Sequence, residues 1–318
     1  MKRCLKTFKI VLTSALGCAN IWDIIYGIQF CAGMENVMKH EVLHLKDYFS
    51  FLGSDGCDPT VEMYLPFNMT EMHRENDKRP CMVVCPGGGY AMCSQRESEP
   101  IAMHFLPDGF NVFVITYSTA PHRFPTQLRE VAALMELIYK NADEWNCDTS
   151  KIAIIGFSAG GHLAAHYSTM YDCKEVMEVF PDSKPVNASV LCYPVISADP
   201  ASGHMGSFYN LLGKTELTEA EIDYFSCDRN VKDTTPPAFI WHTAEDNCVP
   251  VMNSILYAGA LANHKVPFEL HIYPFGWHGL STSDGVTNDI VNEKIAHTQS
   301  WTAEAKKWLK LMGFEIKK

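Results

Sequence analysis

Short apolar runs alternate with segments of helical periodicity along most of this chain. Between residues 127 and 139 the apolar positions recur every three or four residues, which is the spacing of one helix face. Residues 160–171 and 293–312 also read as helices. Continuous apolar runs predict strands buried on both sides, and they occupy residues 81–85, 111–117, 151–156, 190–193, 239–242 and 270–273. This alternation predicts an α/β fold whose mostly parallel sheet carries helices on both faces.

A polar segment at about residues 197–237 interrupts the alternation. It contains three glycines and ends in Pro236-Pro237. A long insert on such a fold can form a lid or a binding loop, and a passive excursion of the chain fits equally well. No repeat or linker divides the remainder, so residues 38–318 are interpreted as a single domain.

Residues 1–37 have the features of a leader. Four basic residues precede an apolar stretch that begins at Ile10 and continues to about Phe30. Three interpretations fit this pattern. It can be a signal or lipoprotein leader with a poor cleavage box at Cys18, an imperfect membrane anchor, or a start set too early, with the native chain beginning at Met34 or Met38.

Composition and charge narrow the functional classes. The 318 residues are 47% hydrophobic, which is enough for a large core. The formal net charge is −11 and the isoelectric point is about 5.6. A nucleic-acid-binding protein normally carries a basic face, and none is visible here, so no nucleic-acid partner is expected.

The twelve cysteines bear on the cellular compartment. Several of them, including Cys81, Cys85 and Cys192, lie inside the apolar runs, where cysteine behaves as a small buried hydrophobic residue. We therefore interpret them as reduced thiols and expect a cytoplasmic protein. A true leader would instead indicate a secreted protein or a lipoprotein, and a stable membrane partner is expected only if the leader is an anchor.

Residues 156–160, Gly-Phe-Ser-Ala-Gly, stand between a predicted strand and a predicted helix. In a nucleophile elbow the serine occupies a strained strand-to-helix turn, and small residues on both sides relieve the crowding. The start of the helix also favours a developing negative charge. The pattern predicts that Ser158 is a catalytic nucleophile rather than a serine that only caps the helix.

A serine nucleophile requires a base and a group that orients the base. In folds built on such an elbow, the acid and then the histidine follow the serine along the chain. Asp246 follows a predicted strand and is the predicted acid, with the adjacent Glu245 as the alternative. His278 lies in a Gly-flanked loop after the next strand and is the predicted general base.

The loop after residues 81–85 reads Pro-Gly-Gly-Gly-Tyr. Glycines allow the backbone to approach a substrate closely, and backbone N–H groups can stabilise an oxyanion. The N–H groups of Gly88, Gly89 and Ala159 are therefore the predicted oxyanion hole.

Two histidine pairs match metal-binding spacings. Residues 40–44 read His-Glu-Val-Leu-His, which binds zinc when it lies on a helix, but no helix is evident around it. His162 and His166 are also four residues apart, on the helix that follows Ser158, where a core role is the better interpretation. No dinucleotide or phosphate-loop motif is present, so neither a metal nor a cofactor is expected.

At these motifs the chain resembles the α/β-hydrolase superfamily, in its esterase/lipase branch. Within that branch it is similar to acetylxylan-esterase-like and feruloyl-esterase-like bacterial carbohydrate esterases. The resemblance covers about residues 60–312 and implies an α/β-hydrolase fold and a Ser-His-Asp acyl-enzyme mechanism. Many lipase-like relatives have a histidine before the three glycines, where this chain has Pro86.

The motifs predict a serine esterase, and the resemblance implies that it acts on short-chain or aromatic acyl esters on carbohydrate, with a small-molecule or oligosaccharide ester as its substrate. One alternative is a serine peptidase of the prolyl-oligopeptidase type, which usually carries a large additional domain. The other is a non-catalytic binding protein built on a hydrolase fold. The motifs carry no information on acyl specificity or on the oligomeric state.

Overall fold

The computed structural model describes residues 37–54 and 56–316. The predicted leader therefore lies, apart from Val37, outside the described residues. Within the described ranges, no helix is both long enough and apolar enough to cross a membrane.

An eight-stranded sheet forms the centre of the described part. Its strands are β1 (Lys39–His44), β2 (Thr60–Leu65), β3 (Arg79–Cys85), β4 (Asn111–Thr116), β5 (Cys147–Phe157), β6 (Ala188–Cys192), β7 (Ala238–Thr243) and β8 (Phe268–Tyr273). They lie in the order β1-β2-β4-β3-β5-β6-β7-β8. Strands β3 to β8 pair in parallel, as predicted, whereas β1 and β2 pair antiparallel at one edge. Most residues of β1 are exposed, so this strand contains no continuous apolar run.

Helices cover both faces of this sheet. In the described part they are α1 (Glu99–Phe105), α2 (Thr126–Lys140), α3 (Ala159–Met170), α4 (Lys174–Met177), α5 (Met205–Leu212), α6 (Glu219–Phe225), α7 (Met252–Asn263), α8 (Glu293–Thr298) and α9 (Ser300–Leu311). Alternate residues of β3 point to opposite faces, so Val83 packs in one core with α2, α3 and α7, and Val84 packs in a second core with α1 and α9. The predicted two-sided architecture is confirmed.

Helices α8 and α9 stand where a single helix is predicted for residues 293–312, so that prediction is wrong. The two helices meet at Gln299, whose backbone N–H donates to the carbonyl three residues earlier, on Ala296, at 3.1 Å. The Gln299 side-chain amide donates to the Ser283 carbonyl at 2.9 Å. This second bond joins Gln299 to a residue that is distant along the chain. The local hydrophobic pattern therefore does not indicate it.

The polar segment 197–237 is folded in the structure. It contains α5, α6 and a 3₁₀ turn at Cys227–Asn230. A capping box starts α6, in which Thr218 and Glu221 bind each other's backbone N–H groups. Asn210 on α5 donates to the Gly89 carbonyl at 2.9 Å, which joins this segment to the Gly-rich loop. Its role as a lid stays a prediction.

Candidate active site

Ser158 occupies the turn between β5 and α3. Its backbone has φ 54° and ψ −119°, a combination that side-chain-bearing residues rarely adopt. The turn is possible because Gly160 lacks a side chain: a Cβ there would lie 2.2 Å from the Cys85 carbonyl oxygen and 2.3 Å from that of Pro86. The strained turn places the Ser158 hydroxyl at the amino end of α3, as expected for a nucleophile elbow.

A series of hydrogen bonds joins Ser158 to His278 and Asp246. The His278 Nε2 atom lies 2.7 Å from the Ser158 Oγ atom, and the His278 Nδ1 atom lies 2.7 Å from the Asp246 Oδ2 atom. Because an ionised carboxylate cannot donate, Nδ1 carries the ring proton and Nε2 presents its lone pair. The serine hydroxyl therefore donates to His278, which is the geometry that a general base requires.

Asp246 is held as an ionised carboxylate. Its Oδ1 atom accepts from the backbone N–H groups of Cys248 and Val249, each at 2.9 Å. Burial by itself raises the pKa of Asp246, but the hydrogen bonds from His242 and His278 outweigh burial and keep that pKa well below its ordinary range. The carboxylate can therefore orient the His278 ring and stabilise a positive charge on it.

Glu245, the alternative acid, binds a different group. Its Oε2 atom accepts from the backbone N–H of Gly276 at 3.3 Å, and the residue is exposed. The structure thus brings Asp246, and not Glu245, to His278.

His242, a residue that the sequence motifs do not single out, also contacts the acid. Its Nε2 atom lies 3.2 Å from the Asp246 Oδ2 atom and 3.0 Å from the Val249 carbonyl oxygen. Both partners accept, so Nε2 carries the proton and Nδ1 accepts from the Ser254 hydroxyl at 2.8 Å. His242 is fully buried, and it binds the carboxylate oxygen that does not accept from the backbone.

The Gly-rich loop after β3 lies against the nucleophile turn. A Cβ on Gly87 would lie 3.0 Å from the Ser158 Cβ atom. Gly88 and Gly89 have φ values of 127° and 64°, which only glycine adopts readily. Across residues 37–54 and 56–316, no protein acceptor receives a hydrogen bond from the N–H groups of Gly88, Gly89 or Ala159. Three N–H donors without a protein partner next to Ser158 are what an oxyanion hole requires.

Glu97 joins the Gly-rich loop to the histidine loop. Its Oε2 atom accepts from the Gly87 N–H at 2.8 Å, and its Oε1 atom accepts from the Tyr193 hydroxyl at 2.6 Å. The Tyr193 oxygen in turn accepts from the Ser281 N–H at 2.9 Å, and the Tyr193 ring meets the His278 ring edge-on at 5.1 Å. A single buried carboxylate therefore braces both loops, and nothing in the sequence around Glu97 signals this role.

The 197–237 segment also reaches this region. Burial lowers the pKa of His204, and the nearby His278 lowers it further, whereas Asp246 raises it. The Asn210 contact to the Gly89 carbonyl places the segment beside the Gly-rich loop.

The His-Glu-Val-Leu-His motif lies on strand β1. On a strand, residues four apart are separated by about 13 Å, which is too far for both to bind one ion. The His40 ring stacks on Tyr64 with 4.6 Å between ring centroids, and the His44 Nδ1 atom lies 2.9 Å from the Asp58 Oδ1 atom. Each histidine thus has a separate contact.

His162 and His166 have core positions. The His162 Nε2 atom donates to the Phe225 carbonyl at 2.9 Å, so Nδ1 accepts from the Tyr90 hydroxyl at 2.8 Å. Burial lowers the pKa of His162 to about 4. His166 packs against the rings of Phe124 and Phe225. A search of the described ranges finds no group of three or more His, Cys, Asp or Glu side chains that could hold a metal ion.

Comparison with known proteins agrees with this fold. Residues 63–261 match the BD-FAE family. The crystal structure of an acetyl ester-xyloside bifunctional hydrolase from Caldicellulosiruptor lactoaceticus is similar with a TM-score of 0.76 and 33% sequence identity, over 88% of this chain and 99% of that chain. The predicted α/β-hydrolase fold is confirmed.

Two curated relatives are longer than this chain. The endo-1,4-beta-xylanase B of Butyrivibrio fibrisolvens is 39% identical over 231 residues, which are 70% of this chain and 35% of that protein. The acetylxylan esterase of Xylanibacter ruminicola is 37% identical over 210 residues, which are 64% of this chain and 42% of that protein. The chain thus spans less than half of either relative, 35% of the first and 42% of the second. The strand order, the nucleophile turn and these likenesses together show that the chain belongs to the BD-FAE family of α/β-hydrolases.

Proposed function

We propose that this chain is a serine esterase that hydrolyses short-chain or aromatic acyl esters on carbohydrates. The hydrogen-bonded series Ser158, His278 and Asp246 carries the proposal, because it presents a serine hydroxyl to an imidazole that an ionised carboxylate orients. The names of the relatives support the ester class: one is an acetylxylan esterase and another is an acetyl ester-xyloside hydrolase.

In the first step the Ser158 Oγ atom attacks the ester carbonyl carbon while its proton passes to the His278 Nε2 atom. The positive charge on the ring is stabilised by Asp246. The N–H groups of Gly88, Gly89 and Ala159 hold the oxyanion. The bond to the alcohol then breaks, His278 returns the proton to the leaving alcohol, and the acyl group remains on Ser158.

In the second step a water molecule replaces the alcohol. His278 takes one proton from the water as the water oxygen attacks the acyl carbon. The bond to the Ser158 Oγ atom breaks, the serine recovers its proton, and the carboxylic acid leaves. The balance is ester plus water to acid plus alcohol, so the proposed reaction needs no cofactor.

The decisive experiment is Ser158→Ala, with p-nitrophenyl acetate as the substrate. Because the three side chains act as a unit, kcat is expected to fall by about 10⁴-fold or more. Ser168→Ala is the matched control: Ser168 lies on α3, the helix that Ser158 precedes, it is also buried, and its hydroxyl donates to the Ala164 carbonyl. A fluorophosphonate probe should label the control and not Ser158→Ala. Undiminished turnover by Ser158→Ala would refute the proposal.

The same assays separate the two alternatives. A serine peptidase would cleave peptidyl amides at rates comparable to esters, whereas the proposed esterase strongly prefers esters. A non-catalytic binding protein would hydrolyse neither substrate, and the probe would leave its serine unlabelled.

The cellular location and the leader stay predictions. The buried cysteines favour the cytoplasm. Cell fractionation, together with the intact mass of the protein purified from its native source, would test the location and the start of the chain.

A further inference from the structure

A shallow groove of about 200 Å³ lies beside the candidate active site. We call it the Trp277 groove. Its lining includes Glu245, Phe275, Trp277, Asn292 and Lys294.

The groove lies next to the proposed catalytic side chains along two loops. Glu245 directly precedes Asp246 after β7, and Trp277 directly precedes His278 after β8. Strands β7 and β8 are parallel, so both loops leave the sheet at the same edge. The groove and the proposed catalytic side chains therefore lie at the same edge of the sheet, on the same two loops.

The apolar part of the groove is an exposed indole. The Trp277 side chain keeps 40% of its surface open to solvent, the same fraction as the exposed Phe67 on the far side of the sheet. The face of an aromatic ring is electron-rich, so it attracts polarised C–H groups as well as cations. One face of a sugar ring presents several such C–H groups, which makes an exposed tryptophan a suitable platform for it.

The polar part of the groove offers both hydrogen-bond donors and hydrogen-bond acceptors. The Asn292 Oδ1 atom caps α8 by accepting from the Lys294 and Ile295 N–H groups, and within the described ranges its amide donors have no protein partner. The Lys294 ammonium group rests 4.2 Å from the centre of the Phe275 ring. Glu245 uses one carboxylate oxygen for the Gly276 N–H and keeps the other.

The polar groups of the groove suit a ligand with hydroxyl groups better than they suit an ion. A hydroxyl both donates and accepts, and the groove offers an amide donor, an ammonium donor and a carboxylate acceptor. The charges of Glu245 and Lys294 cancel, so the groove has no net attraction for an anion. An aromatic surface with a few placed polar groups is the usual make-up of a small-molecule site.

We propose that the Trp277 groove is a subsite for a neutral sugar unit next to the unit that carries the ester. This proposal rests on the proposed esterase function. It adds the expectation that the alcohol part of the substrate is an oligosaccharide rather than a single small alcohol.

The test compares two substrates in variants of Trp277. For Trp277→Ala, the ratio of kcat/KM on acetylated xylotetraose to kcat/KM on p-nitrophenyl acetate should fall about tenfold, which corresponds to about 1.4 kcal/mol. Most of the change should appear in KM for the oligosaccharide. Trp277→Phe keeps an aromatic face and should recover most of the ratio. Phe67→Ala, which removes an equally exposed ring, should leave the ratio at the wild-type value.

A binding measurement removes catalysis from the test. In the Ser158→Ala background, xylohexaose should bind and change the tryptophan fluorescence, and adding Trp277→Ala should weaken binding at least fivefold. An unchanged ratio, equal losses on both substrates, or unaltered xylohexaose affinity would each overturn the subsite. Failure of the esterase function is distinguishable, because wild type and Ser158→Ala would then be equally inactive on p-nitrophenyl acetate.

Discussion

Tyr193→Phe removes one oxygen atom from the link between the two loops that surround Ser158. The Tyr193 hydroxyl donates to the Glu97 carboxylate at 2.6 Å and accepts from the Ser281 N–H at 2.9 Å. Burial, followed by the negative charge of Glu97, raises the pKa of Tyr193 well above its ordinary value, so the hydroxyl stays protonated and able to donate. The phenylalanine ring keeps the edge-on contact with His278.

The expected loss in stability follows from the two polar groups that the substitution leaves buried without their partner. Glu97 is 3% exposed and Ser281 is fully buried, so water cannot replace the lost oxygen. A hydrogen bond to a charged group is worth about 1.5–3 kcal/mol, and a buried donor left without a partner costs about 1–3 kcal/mol. We therefore expect Tyr193→Phe to lower the free energy of unfolding by about 2.5–6 kcal/mol.

The assay is urea unfolding followed by circular dichroism, with Tyr224→Phe as the matched control. The Tyr224 hydroxyl also donates to a carboxylate, that of Glu175 at 2.7 Å, but both side chains are partly exposed and water can replace the bond. The control should lose less than about 1 kcal/mol. If the loss in free energy of unfolding for Tyr193→Phe were within about 0.5 kcal/mol of the loss for the control, the bracing role of Glu97 and Tyr193 would be refuted. Under folding conditions, kcat on p-nitrophenyl acetate should also fall in Tyr193→Phe and not in the control.

Two further predictions concern the nucleophile turn and the buried histidine. Gly156→Ala should destabilise the protein by several kcal/mol, because the added Cβ would lie 2.2 Å from the Gly160 carbonyl oxygen. In the control Gly259→Ala, the added Cβ meets nothing within 4 Å, so stability should not change. The soluble yield and the urea midpoint of each variant test this prediction. The pKa of His162 lies near 4 in the folded protein and at 6.5 ordinarily, so between these pH values the unfolded chain binds more protons. Stability should therefore fall by up to about 3 kcal/mol as the pH drops from 6.5 to 4. An NMR titration midpoint of 6 or more for the His162 ring would contradict this prediction.

The features that were predictable from the sequence are those with a local cause. A parallel strand buried on both faces must be apolar throughout, and a nucleophile turn needs small residues at fixed offsets from its serine. Both requirements are visible in residues 151–160 without knowledge of the rest of the molecule. The Gly-rich loop and the Gly-flanked His278 are recognisable for the same reason, because their glycines follow directly after predicted strands.

Other features have causes that are distant along the chain. Glu97 and Glu99 stand two residues apart in a polar run, yet Glu97 accepts from Gly87 and Tyr193, whereas Glu99 begins α1. At the end of α8, Gln299 binds the distant Ser283 carbonyl, a contact that periodicity along the chain does not indicate. In the sequence, a Glu or Gln that faces solvent cannot be told from one whose side chain binds a buried backbone group.

Hydrophobic period and local geometry in the sequence determined the α/β architecture and the nucleophile turn. The resemblance of the motifs to the α/β-hydrolase superfamily then implied the particular fold and the order of Ser158, Asp246 and His278 along the chain. Only the tertiary structure decided between Asp246 and Glu245. Neighbouring residues on one loop point in different directions, so Asp246 reaches His278 while Glu245 binds Gly276 and lines the Trp277 groove. The bracing by Glu97 and the groove itself also needed the folded chain, since both bring together loops from separate strands and helices.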